Sequence, residues 1–284
     1  MARARPPVAI IAGAGRLPEI IAEACDARGQ PVHVASYYDR GRFPGNSTGF
    51  QARFERPGEV FARLVDAGCT DVVFAGKFSR PSLDPEEFDS TLQKHANWLF
   101  PALKGGDDGV LRAIRSLFER EGFRVRGPHE IVPELLPRPG VCTQDRPSRQ
   151  DIEDGRRARA ILDALGSVDV GQAVVVAHGL CVGVETIQGT DGLLASAGQF
   201  IRGKVEDADG SAGVLYKAAK SCQDRDMDMP AIGPQTVIGA SSAGLSGIII
   251  VAGDVLMLEP EECIRHARER GLFIWICKKD ELTA

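Results

Sequence analysis

The 284-residue sequence predicts an α/β fold in two domains, and three observations carry the prediction. Short β-branched runs alternate with helical stretches through the first half. A proline-rich break then interrupts the pattern between Gly127 and Gly140, and further strand candidates resume beyond it. Alternation of this kind builds a parallel sheet covered by helices. The expected architecture is a Rossmann-like N-terminal domain over residues 1–140 and a C-terminal α/β domain over residues 141–284.

Val8–Ala12 reads as the first strand because it is a short, fully apolar run that ends in Gly13-Ala14-Gly15. Leu17–Ala27 carries apolar residues at helical spacing and is closed by Arg28-Gly29, a glycine past the helix end. Val32–Ser36 and Asp71–Phe74 read as the next strands, with a helix at Val60–Ala67 between them. Leu111, Ile114, Leu117 and Phe118 form one stripe of an amphipathic helix. Pro128, Pro133, Pro137 and Pro139 mark the interdomain linker. The second half opens with Ser148 as a helix N-cap and acidic residues in the first turn. Strand candidates follow at Ala173–Ala177, Val182–Ile187, Val214–Ala218, Ile248–Ala252 and Phe273–Cys277, with a helix at Glu261–Arg270.

Composition narrows the function. Thirty-four basic and thirty-nine acidic side chains leave a net charge of −5, which argues against a nucleic-acid partner. No apolar run approaches the roughly 20 residues needed to cross a bilayer. The N-terminal apolar run stops at Gly13, so it reads as a strand and not as a secretion signal. Seven scattered cysteines without a Cys-x-x-Cys pair point to reduced thiols and a cytoplasmic setting.

Several places could hold chemistry. Gly13-Ala14-Gly15 lies between a strand and a helix, where free backbone amides and the helix dipole can receive an anion. The turn and Asp39, at the right distance to meet a ribose hydroxyl, make a nicotinamide-dependent oxidoreductase an alternative reading, against which Pro18 stands where the dinucleotide fingerprint wants its third glycine. Lys77 follows the third strand at the sheet edge where open α/β sheets bind ligands. Asp107 and Asp108 sit in a glycine-rich loop and serve either a cation or a helix start. His178 beside Gly179 follows a strand, with no nucleophile to partner it. Glu185 lies in an apolar stretch where an acid needs a partner, and Thr190 and Asp191 follow at the start of a helix.

The densest cluster runs from Lys217 through Lys220, Gln223 and Arg225 to Pro230. Asp224, Asp226 and Asp228 alternate within it. In an extended segment their carboxylates project to one side, about 7 Å apart between second neighbours. Carboxylates of this kind suit Mg²⁺, which binds one or two of them together with substrate phosphates, while the flanking cations suit a pyrophosphate. A solvated, self-neutralising loop is the alternative reading of the same residues.

Taken in order, these segments resemble the UDP-2,3-diacylglucosamine pyrophosphatase family of lipid A biosynthesis, the two-domain type unlike the metallophosphoesterases. The resemblance runs through residues 10–18, Ala75-Gly76-Lys77, Gly106-Asp107-Asp108, Glu185 to Asp191 and Lys220 to Pro230. It ends in Ile232-Gly233-Pro234-Gln235-Thr236-Val237 and Ala243-Gly244-Leu245. It implies Mg²⁺-dependent hydrolysis of UDP-2,3-diacylglucosamine to 2,3-diacylglucosamine 1-phosphate (lipid X) and UMP at the inner face of the cytoplasmic membrane. Asp224, Asp226 and Asp228 would then be catalytic and metal-binding. Gly13, Gly15, Lys77, Asp107, Asp108, Thr190, Asp191, Lys217, Lys220, Gln223 and Arg225 would bind substrate. A substrate with two acyl chains also needs an apolar cavity, expected between the domains. The expected partners are this lipid, its product and, transiently, the membrane surface; a homodimer is the assembly considered, and a non-catalytic lipid or nucleotide carrier is the remaining alternative.

Overall fold

The computed structural model describes residues 5–38, 47–78, 82–104, 106–201, 212–220 and 223–283. The chain forms two compact units. The first comprises Met1–Pro133 together with Asp224–Asp228, and the second comprises Glu134–Gln223 together with Met229–Ala284. The sequence placed the division at 140/141. The chain joins the second unit sooner because β6 (Gly140–Val141) pairs antiparallel with Trp275 and Ile276 of that unit.

The first unit is built on β1 (Val8–Ala12), α1 (Leu17–Ala27), β2 (Val32–Ser36), β3 (Thr48–Gln51), α2 (Pro57–Asp66) and β4 (Asp71–Ala75). It continues through α3 (Ser90–Leu103), α4 (Asp107–Arg120), β5 (Arg124–Arg126) and α5 (Pro128–Ile131). Its five strands are all parallel, in the order β3-β2-β1-β4-β5. β1 lies at the centre and every residue in it is buried, which is why it reads as a continuous apolar run. α2, α3 and α4 pack Phe61, Leu64, Leu92, Leu99, Leu117 and Phe118 into the core with Ile11 and Phe74 of the sheet. The proline-rich stretch contains more structure than a linker, because Pro128 occupies the first position of α5, where its missing N–H costs nothing.

The second unit contains β6, α6 (Arg149–Gly166), β7 (Ala173–Ala177), β8 (Leu180–Val184), α7 (Gly189–Ile201) and β9 (Val214–Lys217). β10 (Ala231–Ile232), α8 (Pro234–Ser242), β11 (Gly247–Val251), β12 (Leu256–Met257), α9 (Pro260–Glu269) and β13 (Phe273–Cys277) complete it. Its main sheet is mixed, in the order β6-β13-β11-β9-β7-β8, and β10 and β12 make a separate parallel pair. Alternate residues of β7 serve two cores: Ala173, Val175 and Ala177 face the α7–α9 side, whereas Val174 and Val176 face α6. Ser148 caps α6 by accepting from Asp151 N at 3.1 Å, as its sequence suggests.

β8 begins and ends earlier than the expected strand at Val182–Ile187. His178 (φ 48°) and Gly179 (φ 76°) turn the chain back at once into a two-residue hairpin. Asp154, fully buried, accepts from both turn amides at 2.9 and 2.6 Å. His178 is therefore an exposed hairpin residue. Glu185 consequently lies past the strand end rather than inside it.

Candidate functional site

The glycine loop of the first unit is fastened to its own sheet. Gly13 N donates to Ala75 O at 2.8 Å, and Ala14 and Lys77 exchange both backbone hydrogen bonds at 2.9 and 2.7 Å. A Cβ on Gly13 would stand 2.6 Å from Lys77 O, and one on Gly76 (φ 91°) would stand 2.6 Å from Ala14 O. This close backbone approach accounts for the glycines without a ligand. The amides of Gly13 and Ala14 are consumed by it, contrary to the expectation of free amides there. Gly15 (φ 102°) has open space around it, and the Lys77 side chain is exposed at the carboxyl edge of β4.

Asp224-Arg225-Asp226-Met227-Asp228 is a compact turn, and not the extended segment that alternation suggested. Asp224 O accepts from Met227 N at 3.1 Å and from Asp228 N at 2.9 Å, and the Asp224 side chain accepts from Asp226 N at 3.1 Å. A short carboxylate bonding the backbone two residues on is the usual reason an aspartate starts such a turn. The turn carries Asp224 and Asp226 to Arg115 of α4. One terminal guanidinium nitrogen lies 2.8 Å from each Asp224 carboxylate oxygen and 3.1 Å from Asp226 Oδ2. Arg115 Nε donates to Glu119 at 2.8 Å. These carboxylates, Glu119 first and Asp224 next, push the Arg115 pKa further above its ordinary value. Among the described residues no group of three or more His, Cys, Asp or Glu side chains is arranged to hold a metal ion. What does converge is the pair Asp224 and Asp226 on a single cationic nitrogen. Arg225 is exposed on the turn.

Met227, between these aspartates, is buried and points the other way in chemical character. It lines an apolar cavity of about 270 Å³ inside the first unit, together with Phe74, Phe78, Leu99, Ile114 and Phe118. Of the sixteen lining residues, only Tyr37 carries a hydroxyl or any charged or amide group in its side chain. Burial, reinforced by Asp89, raises the Tyr37 pKa and keeps the phenol neutral. The sequence expectation put an apolar cavity between the domains; this one is enclosed by residues of the first unit alone. Helix α4 supplies both Arg115 and the cavity residues Leu111, Ile114, Leu117 and Phe118.

The second unit holds a different polar chain. Lys217, 5% exposed at the end of β9, donates from Nζ to Thr190 Oγ1 at 2.7 Å. Thr190 donates onward to Glu185 Oε1 at 2.8 Å, and Gln172 N donates to Glu185 Oε2 at 3.2 Å. Glu185 thus has the partners that its position demands. Lys220 pairs with Asp169, while its backbone N–H donates to the buried Gln223 side chain at 3.1 Å. Asp191 lies in the first turn of α7, where its charge suits the helix dipole, and lines an open groove of about 640 Å³ beside Gln199, Gln235 and Ser242.

Asp107 and Asp108 are the first two residues of α4, after the N-cap Gly106; their side chains lie outside the described residues. Asp39 also lies outside them. The residue that sequence reasoning missed is Arg115. Its helix was recognisable from the apolar stripe, but its carboxylate partners lie 109 and 111 positions further along the chain. No local spacing could announce that pairing.

Comparison with known proteins follows the same two-part division. Residues 7–135 match the LpxI N-terminal domain and residues 138–275 match the LpxI C-terminal domain. Over 274 residues, covering 93% of this chain and 95% of the relative, the sequence is 36% identical to the UDP-2,3-diacylglucosamine pyrophosphatase LpxI of Caulobacter vibrioides. The chain belongs to the LpxI family. In this LpxI-family chain, the acidic turn lies within the residues matched by the C-terminal domain, yet it packs with the first unit.

Proposed function

We propose that this protein hydrolyses the pyrophosphate of UDP-2,3-diacylglucosamine, releasing 2,3-diacylglucosamine 1-phosphate and UMP. The observation that carries the reading is the turn 224–228, whose aspartates face a guanidinium while Met227 lines the apolar cavity. One short segment thereby touches both kinds of environment that a lipid diphosphate requires. Family membership and the activity named for the Caulobacter relative support the same reaction.

The chemistry joins water to one phosphorus and breaks its bond to the bridging oxygen, which leaves on the other phosphate. Opposing charges must be neutralised around the phosphoryl oxygens while the water is held in line. The donor chemistry fits Mg²⁺, because Asp224 and Asp226 already direct three carboxylate oxygens at one cationic position and Mg²⁺ commonly takes one or two carboxylates. When bound there, Mg²⁺ supplies charge neutralisation and polarisation of the phosphoryl oxygens. Asp228 orients the attacking water. Gly15, Lys77, Thr190, Asp191, Lys217, Lys220, Gln223 and Arg225 remain the proposed substrate-binding residues, joined by Asp107 and Asp108, while Gly13, its amide held by Ala75 O, only lets the loop pack against Lys77. The cavity takes acyl carbon. The protein would meet its lipid by transient contact with the cytoplasmic membrane surface, and no helix among the described residues is long and apolar enough to cross a membrane.

The test is turnover of UDP-2,3-diacylglucosamine by the purified protein with Mg²⁺ and with chelator, alongside Asp224→Ala, Asp226→Ala and Asp228→Ala. UMP appearing only with metal, and lost in at least one variant, supports the reading. Full activity in all three variants would overturn the assignment of the turn, and no UMP under any condition would overturn the reaction.

A further inference from the structure

We propose that Arg115 is a resident counter-ion that occupies the cation position of Asp224 and Asp226 until a divalent cation displaces it, whereupon its guanidinium turns to the substrate diphosphate. This rests on the metal reading given above and assigns a residue to it. The guanidinium nitrogen stands within 2.8 Å of both Asp224 oxygens and 3.1 Å of Asp226 Oδ2. A Mg²⁺ ion holds its oxygens at about 2.0–2.1 Å. The same oxygens cannot serve both cations at once, because the metal would stand against the guanidinium at a distance where like charges repel strongly.

The arrangement has a physical motive. Two carboxylates two residues apart on one turn repel each other, and repel an incoming diphosphate, unless a cation stands between them. Arg115 removes that repulsion in the protein without metal. Its cost is competition, so metal binding to the protein alone is weakened and is favoured when substrate oxygens complete the coordination. Once displaced, the guanidinium offers a planar fork of donors that matches phosphate oxygens. Glu119 remains bonded at Nε, 2.8 Å away, and keeps the side chain anchored on α4 while its far end changes partner.

Binding of Mn²⁺, as a paramagnetic substitute for Mg²⁺, tests this in the full chain without substrate. Free Mn²⁺ would be followed by electron paramagnetic resonance for the wild type, Arg115→Ala, Arg115→Lys and the double variant Asp224→Asn/Asp226→Asn. Removing a charged hydrogen-bonding competitor should tighten Mn²⁺ binding roughly tenfold or more in Arg115→Ala. Arg115→Lys should fall between Arg115→Ala and the wild type, and the double asparagine variant should lose the site. Arg115→Ala should also raise the KM for the diphosphate substrate, and Arg115→Lys should recover part of it. Unchanged or weaker Mn²⁺ binding in a folded Arg115→Ala protein overturns the inference while leaving the metal reading standing. Binding that survives the double asparagine substitution, or no binding in either the wild type or Arg115→Ala, overturns both. Should Arg115→Ala fail to fold, Arg115→Gln and Arg115→Lys give the same ordering or refute it.

Discussion

In the first unit, the Asp224 and Asp226 side chains keep 17% and 31% of their surface open to water, and the Arg115 between them keeps 28%. In the second unit Lys217 is only 5% exposed and is held through Thr190 to Glu185. The first cluster is solvated, so its ion pairs add little stability and can exchange partners at small cost. In the second, Lys217 is buried and bonded to the half-buried Thr190, so removing it deprives that hydroxyl of its donor. The difference separates groups built to be rearranged during a reaction from groups built to stay in place. Substitutions in the first should therefore change chemistry more than stability, and those in the second should change both.

The largest expected effect is on turnover. Asp224→Ala should lower kcat on UDP-2,3-diacylglucosamine by about 10²–10³-fold, while its thermal midpoint stays close to wild type. A large drop in thermal midpoint would erase the contrast between the clusters. Lys217→Ala should destabilise the protein by about 2–3 kcal/mol in urea unfolding, since Thr190 loses a buried partner and the lysine stem leaves a gap. Lys217→Met, which keeps the stem and removes the charge, should recover part of that stability but not activity; equal stability of all three proteins would show the relay to be dispensable. Met227→Ala should cost about 2 kcal/mol by enlarging the apolar cavity, and should raise KM for the diacyl substrate more than for a deacylated analogue. Equal KM changes for both would disconnect the cavity from the acyl chains.

The smallest expected effect concerns acid. Glu121 accepts from His95 Nε2 at 2.7 Å and from Lys94 at 2.9 Å, and these bonds, His95 first, hold its carboxyl below the ordinary 4.5. A carboxyl lowered in the folded state contributes stability that is complete above the unfolded value and is lost as pH falls through the folded one. Thermal midpoints of wild type and Glu121→Gln should thus differ at pH 7 and converge below pH 4.5. A gap that is constant with pH would assign the effect to packing.

The central strands were legible because burial on both faces forces uninterrupted apolar runs, as in Val8–Ala12, Ala173–Ala177 and Gly247–Val251. β3 escaped because Thr48–Gln51 is a largely exposed edge strand with no such constraint. α3 left a readable sign, Asp89 accepting from Leu92 N at 2.8 Å, but its apolar face is diluted by polar residues. The aspartates were visible as a cluster, whereas their turn was not, since period-two alternation also fits a turn closed by its first side chain. The glycine loop shows the reverse, a motif that looks made for a ligand and is accounted for by the backbone of Lys77. Family resemblance supplied the reaction; the pairing with Arg115 needed three dimensions.

The chain passes between its two units at 133/134, 223/224 and 228/229. A gene fragment ending near residue 135 would therefore encode a first unit without its aspartates and without Met227 on the cavity wall. In this chain, neither half of the sequence, cut near residue 135, carries a complete unit. Separately expressed halves should regain turnover only when mixed, with the longer fragment threading five of its residues into the shorter.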